Sequence, residues 1–84
     1  MSTRIFLGQL HPGARARILS VGKDQACDVD FARRLLEMGL LEGAEVEVLH
    51  EAPFGGDPIA VRVRGSLVAL RRQEANAIEV AVQS

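Results

Sequence analysis

The sequence has few cysteine and aromatic residues. Its 84 residues include one cysteine, three phenylalanines, and no tryptophan or tyrosine. One cysteine cannot form a disulfide within the chain, which excludes the disulfide frameworks of many small secreted domains. The N-terminal apolar run at residues 5–7 ends at Gly8 and Gln9, so it does not resemble the core of a signal peptide. No stretch approaches the ~18–20 apolar residues that span a membrane, and we expect a soluble, cytoplasmic protein.

An excess of charge of either sign is also lacking. Ten basic and eleven acidic side chains leave a formal net charge of −1. Proteins that bind nucleic acid without sequence preference rely on basic side chains to neutralise phosphates. Polybasic membrane anchors need a similar excess. We therefore expect neither a nucleic-acid partner nor direct membrane insertion.

The length excludes a large enzyme or a multidomain machine. A chain of 84 residues forms one domain, taken here as residues 1–84. It has little room for both a core and a deep pocket of the usual ~300–1,000 Å³. The phosphate-binding motif G-x-x-x-x-G-K-[ST] is missing, and Gly55-Gly56-Asp57 lacks its lysine. We expect a non-enzymatic module that acts by contacting a partner.

Most of the chain alternates apolar and polar residues, which is typical of half-buried strands. A loop rich in proline and glycine occupies residues 52–58. Several short strands at roughly 8–12-residue spacing predict a mainly β protein that forms either a small barrel or a sandwich. The predicted strands cover residues 14–21, 45–49, 59–63, 67–70 and 78–82.

One segment, residues 31–39, has a helical period. Leu35 and Met38 lie on its apolar stripe, Leu36 widens that stripe, and Gly39 follows the last turn as a helix stop. A helix this short must pack on something to be stable. We expect one short α-helix inserted after the first strand.

A series of short motifs follows in a fixed order along the chain, at Leu7, Leu10, Pro12-Gly13, 33–40, 43–48, 53–58, Arg64-Gly65, 69–71, Glu74-Ala75 and 78–80. This ordered series resembles the ferrous iron transport protein A family, FeoA. The resemblance implies an SH3-like β-barrel. It also implies a cytosolic accessory role at FeoB, a membrane transporter of ferrous iron with a GTP-binding domain. The accessory would bind FeoB, regulate or assemble it, and be recruited by it to the inner face of the membrane.

The shortage of aromatic residues argues against one common SH3 function. Grooves that bind proline-rich peptides are lined by aromatic side chains, and this chain has only three phenylalanines. We expect an aliphatic and charged contact surface at the helix end and at the loop. Its candidate residues are Arg33, Met38, Leu40, Pro53, Phe54 and Asp57.

Some of these residues have a second interpretation. Phe54 either docks on a partner or folds back over the barrel end. Either one of Leu40 and Leu41 faces outward, or both cap the barrel. Four arginines near the Arg64-Gly65 reversal form a basic face or, as we favour, pair with neighbouring carboxylates. These arginines are Arg62, Arg64, Arg71 and Arg72, and the carboxylates are Glu45, Glu47 and Glu74.

The sequence offers only weak metal ligands. Cys27, Asp28, His11 and His50 lack the C-x-x-C or H-x-x-x-H spacing of recognisable sites. We expect no intrinsic metal site and no required cofactor, and leave room for an adventitious zinc or iron ion between two molecules. A homo-oligomer is left open.

Two other functions stay open. SH3-like domains of this kind are also attached to metal-dependent transcriptional repressors, so the chain could be a free regulatory domain of that type. Its 84 residues leave no space for a winged-helix DNA-binding segment. The second is a weak ferrous iron chaperone.

Overall fold

The computed structural model describes residues 4–21 and 29–83, and this part of the chain is built around one antiparallel sheet. Its six strands lie in the order β1-β6-β2-β3-β4-β5. They are β1 (Ile5–Phe6), β2 (Arg15–Val21), β3 (Glu45–Glu51), β4 (Ile59–Val63), β5 (Ser66–Leu70) and β6 (Ile78–Gln83). Three short helices accompany the sheet, a 3₁₀ helix at Leu7–Gln9, α1 (Val29–Glu37) and α2 (Arg72–Ala75).

The alternating pattern builds these strands as predicted. In β2, Ala16 and Ile18 are buried while Arg15 and Arg17 face solvent. β4 alternates along its whole length, while the alternation in β3 and β6 gives way to exposed residues at the C-terminal end of each strand. The mainly β fold is therefore confirmed.

Two irregularities bend the sheet. The pairing register shifts between Ile18 and Ser20 against β6, and between Val48 and His50 against β4. An extra residue of this kind bends a strand and increases its twist. The bends let one sheet curl around an aliphatic core.

The helix α1 follows the second strand, which differs from the predicted order. The strand missed in the sequence is β1, whose two residues pair with Val80 and Glu79. Two residues are too few to show an alternation, so sequence reasoning had no signal for it. The helix also begins at Val29 and ends at Glu37, two residues before each predicted limit.

The core joins residues from the sheet and all three helical segments. Gly39, with φ +90°, turns the chain after α1, and the Leu40 amide donates to the Leu35 carbonyl at 2.9 Å. This tight turn points both leucines inward, and each is fully buried. No helix among the described residues is long and apolar enough to cross a membrane. The largest fully buried side chains among the described residues are Leu7, Ile18, Leu35, Leu40, Val48, Ile59, Val61, Val63, Leu70 and Ile78.

Candidate partner-binding surface

The loop at residues 52–58, called the Phe54 loop below, connects β3 to β4 and is closed by its own backbone. The Gly56 amide donates to the Ala52 carbonyl at 3.1 Å, and the Ala52 amide donates to the Pro58 carbonyl at 3.0 Å. Gly55 and Gly56 have φ values of +81° and +69°, which side-chain-bearing residues adopt at a cost. Gly55 and Gly56 are thus needed for the path of the chain through this loop.

Phe54 lies at the outer end of this loop and is 92% exposed. The interpretation that it folds back over the barrel end is wrong. Its neighbours Pro53 and Asp57 are also exposed. The physical reason is that aliphatic side chains fill the core, while the two backbone hydrogen bonds hold the loop away from it.

Arg72 of α2 connects the Phe54 loop to the rest of the molecule. Its Nε donates to the Gly56 carbonyl at 2.7 Å, and its Nη1 donates to the carbonyls of Gly8 and Leu10 at 2.8 and 2.9 Å. Its Nη2 donates to Glu51 Oε1 at 2.7 Å. The side chain is only 20% exposed. Arg72 therefore belongs to no solvated basic face.

The surroundings of Arg72 add two further contacts to the base of the loop. The Arg72 main-chain amide donates to Asp57 Oδ1 at 2.9 Å. Glu51 Oε1 also lies 3.2 Å from Nδ1 of His11. Sequence reasoning missed this arrangement because three of the four acceptors of the guanidinium are main-chain carbonyls. Every residue type has such a carbonyl, so the sequence does not indicate which ones bind Arg72.

The helix end contributes less surface than predicted. Arg33 is exposed and Met38 is half-buried against the core. Leu40 is fully buried, so its assignment to a contact surface is wrong, and its neighbour Leu41 is half-buried. Leu36, placed on the inner stripe from the sequence, is instead 56% exposed.

The short helix α2 contacts both predicted contact regions. Glu74 Oε2 is 3.7 Å from Nη2 of Arg34 on α1, while Arg72 contacts the Phe54 loop through Gly56. Both regions therefore border α2. This places the exposed part of α1 and the Phe54 loop around one short element.

Of the other three arginines near the Arg64-Gly65 reversal, only Arg62 pairs with one of the predicted carboxylates, so the favoured pairing is confirmed for Arg62 alone. Arg62 Nη2 is 2.7 Å from Glu47 Oε1, and Arg15 Nε is 3.8 Å from the other oxygen of that carboxylate. Arg64 and Arg71 are exposed, and within the described ranges no carboxylate lies in ion-pair distance of either. Because Arg62 is paired and Arg72 turns inward, the four arginines do not form a basic face.

The candidate metal ligands are not brought together in the described part of the chain. His11 and His50 are both exposed, and His11 faces Glu51. No group of three or more His, Cys, Asp or Glu residues that could hold a metal ion occurs within residues 4–21 and 29–83. Cys27 and Asp28 lie outside the described residues, so their assignment stays a prediction.

A curated relative from Porphyromonas gingivalis (strain ATCC BAA-308 / W83) is similar over most of this chain. It is the Fe(2+) transport protein A/Fe(2+) transporter FeoB fusion protein, 38% identical over 74 residues. The match covers 88% of this chain and 8% of the relative. This chain therefore spans less than a tenth of that relative's length.

Two solved structures share the fold. The FeoA protein from Chlorobium tepidum is 39% identical with a TM-score of 0.83, and the match covers 95% of this chain and 71% of that one. FeoA from Stenotrophomonas maltophilia, crystallised with zinc and described as a prokaryotic SH3 domain protein, is 36% identical with a TM-score of 0.78. That match covers 92% of this chain and 89% of the other. The SH3-like fold is thereby confirmed.

The family assignment follows from a match along almost the whole chain. A profile of the FeoA domain covers residues 5–82, which include all of the sheet but its last residue, together with α2 and the Phe54 loop. The motif series in the sequence, the fold and the relatives agree. This chain belongs to the FeoA domain family.

Proposed function

We propose that this chain is a non-enzymatic accessory protein of ferrous iron uptake that binds the FeoB transporter and regulates or assembles it. The observation that carries this proposal is the Porphyromonas gingivalis relative, in which a similar domain and FeoB form one polypeptide. Fusion keeps two domains at high effective concentration, which suits domains that act on each other. The Stenotrophomonas maltophilia protein is described as a candidate activating factor for ferrous iron transport, which supports a regulatory role.

The contact surface we propose consists of Pro53, Phe54 and Asp57 with Arg33 and the exposed edge of Met38. Phe54 is its centre, because a phenyl ring that is 92% exposed gains most when a partner covers it. Aromatic and arginine side chains are typical hot spots of protein interfaces. Leu40 has no part in this surface, since it is fully buried.

The direct test is a titration of this chain with the cytoplasmic domain of FeoB from the same organism, followed by calorimetry. We expect the wild type to bind and Phe54→Ala to weaken binding about tenfold or more, as truncation of an anchor residue does. The matched control is Leu67→Ala, because Leu67 is also an exposed apolar residue, 68% accessible on β5. Absence of wild-type binding would contradict the proposed function, and equal losses in both variants would contradict the assigned surface.

We also propose that binding to FeoB requires no metal ion. The two histidines that the structure describes are exposed, and neither lies in a cluster of ligands. The same titration in the presence of a chelator should therefore give an unchanged affinity. An affinity that falls with chelator and returns with Zn²⁺ or Fe²⁺ would show that the metal is required.

A further inference from the structure

We propose that the Phe54 loop is a pre-organised anchor whose ring enters an apolar pocket of the partner, and that Arg72 is the positioning residue that fixes it. The inference rests on the proposed function and deepens it. The partner presents an apolar pocket, and Arg72 positions the loop without touching the partner.

The loop is held at both of its ends. Within the loop, the Ala52 carbonyl accepts from Gly56 and the Ala52 amide donates to Pro58. From outside, Arg72 donates through Nε to the Gly56 carbonyl at 2.7 Å and through its main-chain amide to Asp57 Oδ1 at 2.9 Å. The second and third residues after Phe54, Gly56 and Asp57, are therefore fixed to α2.

Arg72 can fix the loop because the guanidinium is itself fixed. Its remaining donors reach the carbonyls of Gly8 and Leu10, at 2.8 and 2.9 Å, and Glu51 Oε1 at 2.7 Å. These three acceptors belong to the N-terminal segment and to β3. A planar fork with five N–H donors can serve four acceptors in different directions. The three donors of a lysine ammonium radiate from one point and cannot reach the same set.

The exposed ring determines the kind of partner site. Phe54 is 92% exposed, and its neighbours Pro53 and Gly55 are exposed as well, so no side chain covers it. A phenyl side chain has no hydrogen-bonding group, so the removal of its apolar surface from water is the main contribution that favours contact. An apolar pocket of ring size is therefore the fitting receptor. Pre-organisation raises affinity because the loop loses little conformational freedom on binding.

The experiment compares loop order and partner affinity in Arg72→Ala and in the matched control Arg71→Ala. Arg71 is the adjacent exposed arginine, and its contact to Glu74 uses only the main-chain amide. Loop order is measured without partner, from ¹⁵N relaxation of the Gly55 and Gly56 amides. Affinity is measured by titration with the FeoB cytoplasmic domain. We expect Arg72→Ala to loosen the loop and weaken binding about tenfold, and Arg71→Ala to change neither.

Chemical rescue separates positioning from general damage. Millimolar guanidinium should enter the space left in Arg72→Ala, bind the same oxygens, and restore loop order and affinity, whereas urea at equal concentration should not. Arg72→Lys should stay as weak as Arg72→Ala. Wild-type affinity in Arg72→Ala, or weak affinity with an ordered loop, would overturn the role of Arg72.

The Phe54 series keeps the inference testable even where Arg72 variants do not fold. An apolar pocket should accept Phe54→Leu with a small loss of affinity and reject Phe54→Asp. Equal binding of the Asp variant would overturn the pocket assignment while leaving the proposed function intact. Absence of wild-type binding would overturn the proposed function and this inference together.

Discussion

At the scale of single residues, two positions are explained by main-chain atoms of distant segments. Arg72 binds the carbonyls of Gly8, Leu10 and Gly56, which lie far from it in sequence. Gly8 is needed for a different reason than the turn glycines, since α2 approaches it closely. The turn role of Gly39 was predicted and is confirmed by its φ of +90°. The role of Gly8 was not predicted, because the close approach of α2 to Gly8 does not affect which residues stand next to Gly8 in the sequence.

Gly8→Ala should destabilise the fold. An added Cβ would lie 2.6 Å from the Arg72 carbonyl oxygen and closer still to Oδ1 of Asn76. Backbone cannot move away as a side chain can, so we expect a loss of about 1–3 kcal/mol in the free energy of unfolding by urea denaturation.

Asn76→Ala provides the control for this prediction. In that background the contact with the amide side chain is removed, but the contact with the Arg72 carbonyl remains. Gly8→Ala should therefore still destabilise the protein, by a smaller amount. Full stability of the double variant would show that only the Asn76 side chain restricts position 8.

At the scale of elements, the β4–β5 hairpin shows how turn chemistry sets register. Its two central residues, Arg64 and Gly65, have φ values of 51° and 82°. Two consecutive positive φ values are those of a type I′ turn, whose twist matches that of the flanking strands. The sequence predicted a tight reversal here, and the pairing of Val63 with Ser66 confirms it. That an arginine occupies the left-handed position was visible only in the structure.

Arg64→Asn should stabilise the hairpin. Asparagine tolerates the left-handed region better than arginine, and Asn-Gly is a favoured type I′ pair. We expect a gain of about 0.5–1 kcal/mol in the free energy of unfolding, measured by urea denaturation. Arg64→Val, with a β-branched side chain at the same φ, should lower stability. A lower stability of the Asn variant would mean that the arginine side chain makes a larger contribution than its exposure suggests.

At the scale of the whole molecule, aliphatic packing decides which residues remain for function. The core uses leucine, isoleucine and valine from every strand except the two-residue β1, from α1 and from the 3₁₀ helix. Leu40 belongs to this core, while Phe54 remains outside it. The regulatory domain of repressor type, the iron chaperone and a homo-oligomer stay predictions.

Leu40→Ala should act through folding and not through contact. Truncating a fully buried leucine costs about 2–5 kcal/mol, a large part of the ~5–15 kcal/mol that stabilises a typical domain. Thermal unfolding should show a much lower midpoint for Leu40→Ala and little change for Leu67→Ala, whose side chain is 68% exposed. The folded fraction of Leu40→Ala should bind FeoB with unchanged affinity. If fully folded Leu40→Ala bound FeoB more weakly than the wild type, Leu40 would have to be assigned to the contact surface.

The sequence by itself determined the five longer strands, the helix stop at Gly39 and the position of the loop, because these depend on periodicity and on local backbone preferences. It also carried the family resemblance, since the motifs keep their order along the chain. Only the tertiary structure decided that Leu40 is buried, that Phe54 is exposed and that Arg72 turns inward. Each of these three features depends on which residues from distant segments of the chain lie around the side chain in the folded protein. The inward turn of Arg72 requires acceptors from residues 8, 10, 51 and 56, which meet only when the sheet has curled and α2 has packed beside the 3₁₀ helix.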